Sequence, residues 1–200
     1  MKLPRSFYLR EDPLEISKDL LGTYLHTQID GHHCVSKIVE TEAYIAPEDQ
    51  ASHAKNMKKT PRSMTFYKEG GTAYVYTCYG VFQLFNIITN AIEVPHAILI
   101  RGVEPIEGID VMLKRRGMDM VKRNLTAGPG ILSIAMGIRK HHNETDLLGD
   151  TIWLEKGSRI PEQNIIASQR VGLGTCPEPW KSKPWRFRVK GSKWTSPQKY

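Results

Sequence analysis

A chain of 200 residues, 40 % apolar and 24 % charged, is long enough to bury about 70 % of the surface its unfolded form exposes, so it needs no disulfide or metal staple to hold a fold. No apolar run approaches the ~18 residues that span a bilayer, and the opening MKLPRSFYLREDP has charge but no apolar signal core; an intracellular, cytoplasmic protein without membrane association is expected. The formal charge of +7 turns the odds modestly toward a polyanionic partner.

In chain order, Asp12-Pro13-Leu14-Glu15 combines an N-cap aspartate, a proline at the first helical position and a glutamate three residues after the cap. Leu14, Ile16, Leu20 and Leu21 then share one half of a short amphipathic helix that ends near Gly22. Strand-like runs over 23–29 and 34–44 flank Asp30-Gly31, a strong hairpin dipeptide. Residues 46–71 mix prolines, glycines and charges without periodicity, and so long an irregular segment in a compact domain is more often functional than idle. Strand patterns return over 72–79, 81–89, 96–104, 151–155 and 186–189, with helices expected over 107–116 and after Gly128-Pro129. The count of strands against short helices predicts one α+β domain over residues 1–200 with a mainly antiparallel sheet.

Three cysteines, Cys34, Cys78 and Cys176, are odd in number and widely spaced, which fits reduced thiols serving as small core residues. The histidine doublets 32–33 and 141–142 lack a completing ligand set, so neither a metal nor another cofactor is expected. Basic residues cluster over 55–63, 113–123 and 179–194, the last interleaved with tryptophan and phenylalanine.

The chemistry concentrates in IVETEAYIAPEDQASH, residues 38–53. Strand alternation puts Glu40, Glu42 and Tyr44 on one face and Val39, Thr41 and Ala43 on the other. Acids in such a strand mean an exposed face, a structural ion pair or an active site, and spacing alone leaves all three open. In AYVYTCYG, Tyr74 and Tyr76 share a face, while Tyr79 falls on the opposite one just before Gly80; aromatics two apart are ordinarily packing residues. A carboxylate, several tyrosines and a basic surface together meet the needs of an enzyme working on nucleic acid: a water activator, π-faces for a base, and phosphate neutralisation.

IVETEAYIAPEDQASH, TPRS, AYVYTCYG, the asparagine of LFNIIT, AILIRGVEP, GPGIL, RVGLG and PWRFRVKGS follow one another in an order that resembles the alkyladenine type of DNA-3-methyladenine glycosylase, over residues 15–195. The resemblance implies a monofunctional, monomeric base-excision repair enzyme with no obligate protein partner. Such an enzyme flips a damaged purine (3-methyladenine, 7-methylguanine, hypoxanthine or ethenoadenine) out of duplex DNA and hydrolyses its N-glycosidic bond, without a lyase step. It implies Glu42 as general base for a water that attacks C1′, and Arg101 and the Val171 carbonyl as further holders of that water. Tyr44 and Tyr76 would stack on the flipped base, with His53 beside it and Asn86 where a guanine 2-amino group would clash. Tyr79 would fill the gap in the DNA stack, with Val81 and Arg62 also on the DNA side, and Glu40 has no catalytic part. The implied fold is a curved antiparallel sheet with flanking short helices, similar to the C-terminal domain of methionyl-tRNA formyltransferase. That likeness keeps a tRNA-binding or tRNA-modifying role open, beside a nucleic-acid-binding module without catalysis. Ala46 stands where the family usually has glycine, Ser63 replaces its asparagine, YKEGG departs from its usual run, and Val81 replaces a common methionine. These departures are expected to alter the DNA-facing loop and the wedge neighbourhood rather than the pocket, and hence the substrate range.

Overall fold

Asp12 opens the second of two short helices, accepting hydrogen bonds at Oδ1 from the Leu14 (2.8 Å) and Glu15 (3.4 Å) amides. These helices are α1 (Arg5–Tyr8) and α2 (Pro13–Asp19); Ile16 and Leu20 point inward and are fully buried. The computed structural model describes residues 1–196, so the end of the expected domain, 197–200, lies outside the described residues. The expected hairpin forms between β1 (Tyr24–Ile29) and β2 (His32–Ile45), with Asp30 at φ 56° and Gly31 at φ 77°, the two left-handed positions of a type I′ turn. Then come β3 (Ala73–Cys78), β4 (Phe82–Thr89), β5 (His96–Glu107), α3 (Ile109–Arg116), α4 (Pro129–Met136), β6 (Ile152–Glu155), β7 (Ile165–Ser168) and β8 (Arg186–Val189).

All eight strands form one antiparallel, open sheet in a single compact α+β domain, in the order β3-β4-β5-β2-β1-β6, with β8 on β2 and β7 on β8. Long β2 makes this branching possible. One edge pairs with β5 along nearly its whole length, while the other pairs first with β1 and then, at Glu40–Glu42, with Arg186–Arg188 of β8. Strand β7 has no counterpart in the sequence reading, because four mostly exposed residues leave no burial period. Within the irregular 46–71 stretch lie only two short 3₁₀ turns, Lys55–Met57 and Met64–Tyr67. Among the described residues no helix is long and apolar enough to cross a membrane.

The register of β2 against β5 slips at three places, at Val35/Ser36 and on either side of Glu40: Ile38 faces Val103, Glu40 faces Gly102 and Thr41 faces Ile100. Val39 is thus the extra residue on β2 and Arg101 the extra one on β5. A bulge shifts the phase of alternation. Before it, Ser36 reaches the helices, its hydroxyl 3.2 Å from Met136 Sδ; beyond it Thr41 does so, donating to the Ser17 carbonyl at 3.0 Å. Cys34, Ile38 and Val39 all join the main core. Glu40, Glu42 and Tyr44 are left together on the opposite face, as alternation from Val39 onward predicts.

Gly102, at the bulge, has no room for a side chain: a Cβ there would sit 2.6 Å from the Trp194 carbonyl oxygen and 3.2 Å from Glu40 Oε2. Gly102→Ala is therefore expected to push the 194–196 segment off Glu40 and to destabilise the fold by about 1–3 kcal/mol. Urea unfolding checks this, and an unchanged midpoint would show that the segment is not held there.

Candidate active site

Glu40 and Glu42 are both completely buried, which requires that their charges be paired and their lone pairs met. Arg101, turned toward them by the bulge, donates from Nε to Glu40 Oε1 (3.1 Å), from Nη1 to Glu42 Oε2 (3.4 Å) and from Nη2 to Ser196 Oγ (3.2 Å). Glu40 Oε1 also accepts from Arg186 Nε (2.7 Å) and Ser196 Oγ (2.8 Å), and Oε2 accepts from the Ser196 amide. Two carboxylates thus face two guanidiniums in one dry cluster. Burial alone would lower the pKa of Arg101, but the Glu42 and Glu40 charges outweigh it and hold the guanidinium above its usual value.

Glu42 accepts three hydrogen bonds among the described residues, one fewer than Glu40. Its Oε2 takes Tyr44 Oη (2.9 Å) and Arg101, whereas Oε1 takes one donor among the described residues, the Val171 amide at 2.8 Å. A carboxylate oxygen offers two lone pairs, so Oε1 retains one. The backbone of Val171 therefore meets Glu42 through its N–H, a contact additional to the expected carbonyl. Burial, then the Glu42 charge, hold the Tyr44 phenol well above its ordinary pKa against the opposing pull of Arg170, so Tyr44 stays a donor.

Tyr44 connects this cluster to a cavity of about 360 Å³ whose lining includes His53, Arg62, Tyr74, Tyr76 and Asn86, with residues 172–177 as a further wall. Tyr74 and Tyr76 stack at 5.2 Å, and His53 stands edge-on to Tyr76 at 4.8 Å. His53 Nδ1 lies 3.0 Å from the Tyr74 hydroxyl; burial, reinforced by Arg62, lowers its pKa to about 4, so the ring is neutral near pH 7. Buried Asn86 donates to the Tyr74 (3.1 Å) and Leu84 (3.3 Å) carbonyls. Tyr79 and Val81 lie outside the cavity on the exposed β3–β4 turn.

Arg62, expected on the DNA side, is exposed, and its guanidinium lies 4.6 Å over the Tyr76 ring at the cavity lining. Two placements differ from the sequence reading. Cys34 is a core residue, but Cys78 and Cys176 line the cavity, since β3 ends at its edge. Ala46 and Ser63 do not face outward: Ala46 packs with Tyr74 behind the cavity, and buried Ser63 ties its own loop through the Lys58 carbonyl (2.7 Å).

No sequence pattern signals a second buried ion pair, Arg170 with Asp49. Arg170 grips both oxygens of Asp49 and donates to the carbonyls of Ala43 and Trp180, each at 2.9 Å. Its guanidinium also lies 4.8 Å from the Tyr44 ring centre and 5.1 Å from that of Trp185. One side chain thereby joins β2, the 46–53 loop and the 170–185 loop, immediately before the Val171 amide that holds Glu42. Asp49 lies within IVETEAYIAPEDQASH and Arg170 opens RVGLG, but nothing in those strings pairs the two.

A buried carboxylate with a lone pair to spare, joined through Tyr44 to a cavity walled by flat rings, suits orienting and deprotonating a water beside a planar heterocycle, which is hydrolytic chemistry. The family described as Methylpurine-DNA glycosylase (MPG) matches residues 6–193. Among relatives, a Chlamydia felis protein named "Putative 3-methyladenine DNA glycosylase" is 40 % identical over 96 % of this chain and 98 % of its own. A Clostridium tetani protein of the same name is 40 % identical over 98 % and 99 %. An Encephalitozoon cuniculi protein, "Probable DNA-3-methyladenine glycosylase", is 35 % identical over 91 % and 87 %. The chain belongs to the methylpurine-DNA glycosylase family, and its class is that of DNA glycosylases, hydrolases of N-glycosidic bonds.

The lowered His53 pKa has a sign. Unfolded His53 binds a proton below pH about 6.5 and the folded residue only near 4, so stability that is full above 6.5 falls as pH drops from 6.5 toward 4, by on the order of 3 kcal/mol at most. His53→Gln is expected to flatten that part of the stability–pH curve in denaturant titrations; an equal slope in both proteins would show that His53 is not held neutral.

Proposed function

We propose that the chain is a monofunctional glycosylase for alkylated and deaminated purines in duplex DNA: 3-methyladenine, 7-methylguanine, hypoxanthine and ethenoadenine. The observation that carries the reading is the remaining lone pair on buried Glu42 beside the tyrosine-lined cavity. In this reading Glu42 deprotonates a water for attack on the sugar C1′, and Arg101 and the Val171 carbonyl hold that water. Tyr44 and Tyr76 stack on the flipped base, Arg62 leaving the Tyr76 face for the DNA backbone as it enters. Neutral His53 offers a hydrogen bond, Asn86 disfavours guanine through its 2-amino group, and Tyr79 fills the vacated stack with Val81 beside it.

Magnitudes are consistent with this division of labour. Extruding a base costs a few kcal/mol, and stacking on an aromatic returns about 1–3 kcal/mol per base. A positioned general base supplies roughly 10²–10⁴ in rate. For purines alkylated at N3 or N7, the positive charge already on the leaving group lowers the rest of the barrier. Neutral hypoxanthine and ethenoadenine need protonation as they depart and lean harder on the site. The enzyme acts inside the cell as a monomer, with no cofactor and no obligate protein partner.

The test uses end-labelled duplexes carrying one hypoxanthine or one ethenoadenine, incubated with wild type or Glu42→Gln and then treated with alkali. Alkali-dependent cleavage by wild type, with at least a roughly 10²-fold loss in Glu42→Gln, is expected. Because Lys55 also borders the cavity, cleavage without alkali would overturn the hydrolysis-only reading. If wild type releases no base from these duplexes or from alkylated genomic DNA, while both proteins bind DNA equally, the chain is a binding module.

A further inference from the structure

Seven non-glycine residues among those described hold a left-handed backbone: Asp30, Asn56, Met57, Tyr79, Asn90, Glu93 and Glu144. Five are acids or asparagines, and asparagine and aspartate tolerate this region best. The other two, Met57 (φ 56°) and Tyr79 (φ 51°), carry large side chains, and both stand in solvent, 44 % and 87 % exposed. Neither lines the cavity, but each follows closely in the chain on a residue that does. Met57 is two residues past Lys55, and Tyr79 one residue past Cys78, and Lys55 and Cys78 line it.

The Met57 tip is fixed at its base. The Asn56 amide donates to the Pro47 carbonyl (2.8 Å), and its side-chain oxygen accepts from Gln50 Nε2 (3.0 Å). The Lys58 amide returns to the Lys55 carbonyl (3.1 Å), and the Lys58 carbonyl accepts from Ser63 Oγ (2.7 Å) and Tyr67 Oη (3.3 Å). Strained backbone persists only where its surroundings over-determine it, and it gathers at functional sites. The tip lies among Lys55, Lys58, Lys59 and Arg62, so an apolar side chain is offered outward within a cationic rim. A polyanion with an apolar interior surface fits both features, and methionine is among the side chains used as apolar wedges against unstacked base steps.

We infer that Met57 is a second apolar contact with the duplex, pressing on the sugar and base surface beside the extruded nucleotide from the loop wall of the cavity while Tyr79 acts from the β3–β4 turn. The inference rests on the proposed function for its ligand. Lys55 and its basic neighbours supply charge and Met57 supplies none, so the two contributions separate by their salt dependence.

Binding of wild type, Met57→Gly, Met57→Leu and Lys55→Ala to a duplex carrying an abasic-site analogue is measured across salt concentrations, with excision of hypoxanthine and the thermal midpoint followed in parallel. Met57→Gly relieves the backbone and is expected to keep or raise the midpoint. It is expected to bind about tenfold more weakly with an unchanged salt slope, the size of one lost apolar contact. Met57→Leu should recover most of the affinity, and Lys55→Ala should flatten the slope by about one. Wild-type affinity in Met57→Gly, or no recovery by Met57→Leu, would overturn the inference. Met57-dependent binding without excision by wild type would sink the proposed reaction and leave the contact standing; excision with binding indifferent to Met57 would do the reverse. Loss of both binding and excision in wild type would overturn both.

Discussion

Arg101 reaches two carboxylates at once, and much of the site depends on that bridge. Two acids two residues apart on a buried strand face would repel each other and leave uncompensated charge in a dry interior if unpartnered. The guanidinium between them, with Arg186 and Ser196 behind, lets both remain buried. Such a cluster adds little net stability compared with apolar packing, yet losing one partner strands a charge in a dry interior. Its value lies in the asymmetry it creates: Glu40 takes four donors and anchors the cluster through Arg186 and Ser196, whereas Glu42 takes three and touches Tyr44, which lines the cavity.

Backbone irregularity makes the bridge possible. Paired one-residue slips on either side of Glu40 restore from Thr41 onward the register of Ser36–Ile38 and turn Arg101 toward the acids between. Gly102 then admits the 194–196 segment to within reach of Glu40. The Arg170–Asp49 pair does the corresponding work on the cavity side, tying two loops to β2 and lying over Tyr44. Catalytic geometry is more precise on strands than on loops, and here the acids sit on a strand while the loops that cover them are fastened by a buried ion pair.

Tension between apolar burial and apolar display separates the cavity interior from its rim. Inside, Tyr74, Tyr76 and His53 pack ring against ring, and burial keeps them uncharged. At the rim, Tyr79 and Met57 are held in solvent by backbone that other side chains would adopt more readily. The same basic loop also lays the exposed Arg62 over Tyr76, so one segment contributes both to the rim and to the cavity lining.

Much of this was legible from local pattern. The capped helix, the Asp30-Gly31 turn, the strands and the shared face of Glu40, Glu42 and Tyr44 follow from periods of two or 3.6 and from turn chemistry, which depend only on neighbours in the chain. The ordered motifs carried the family. Other features depended on residues far apart in the chain: the ladder slip that aims Arg101, the Arg186 and Ser196 donors to Glu40, the Arg170–Asp49 clamp across 121 positions, and the seat of Arg62 over the Tyr76 ring. The physical reason is that a buried charge must be satisfied by whichever donors the sheet and loops bring to it. Alternation says which way a side chain points, but only the assembled fold decides what meets it there.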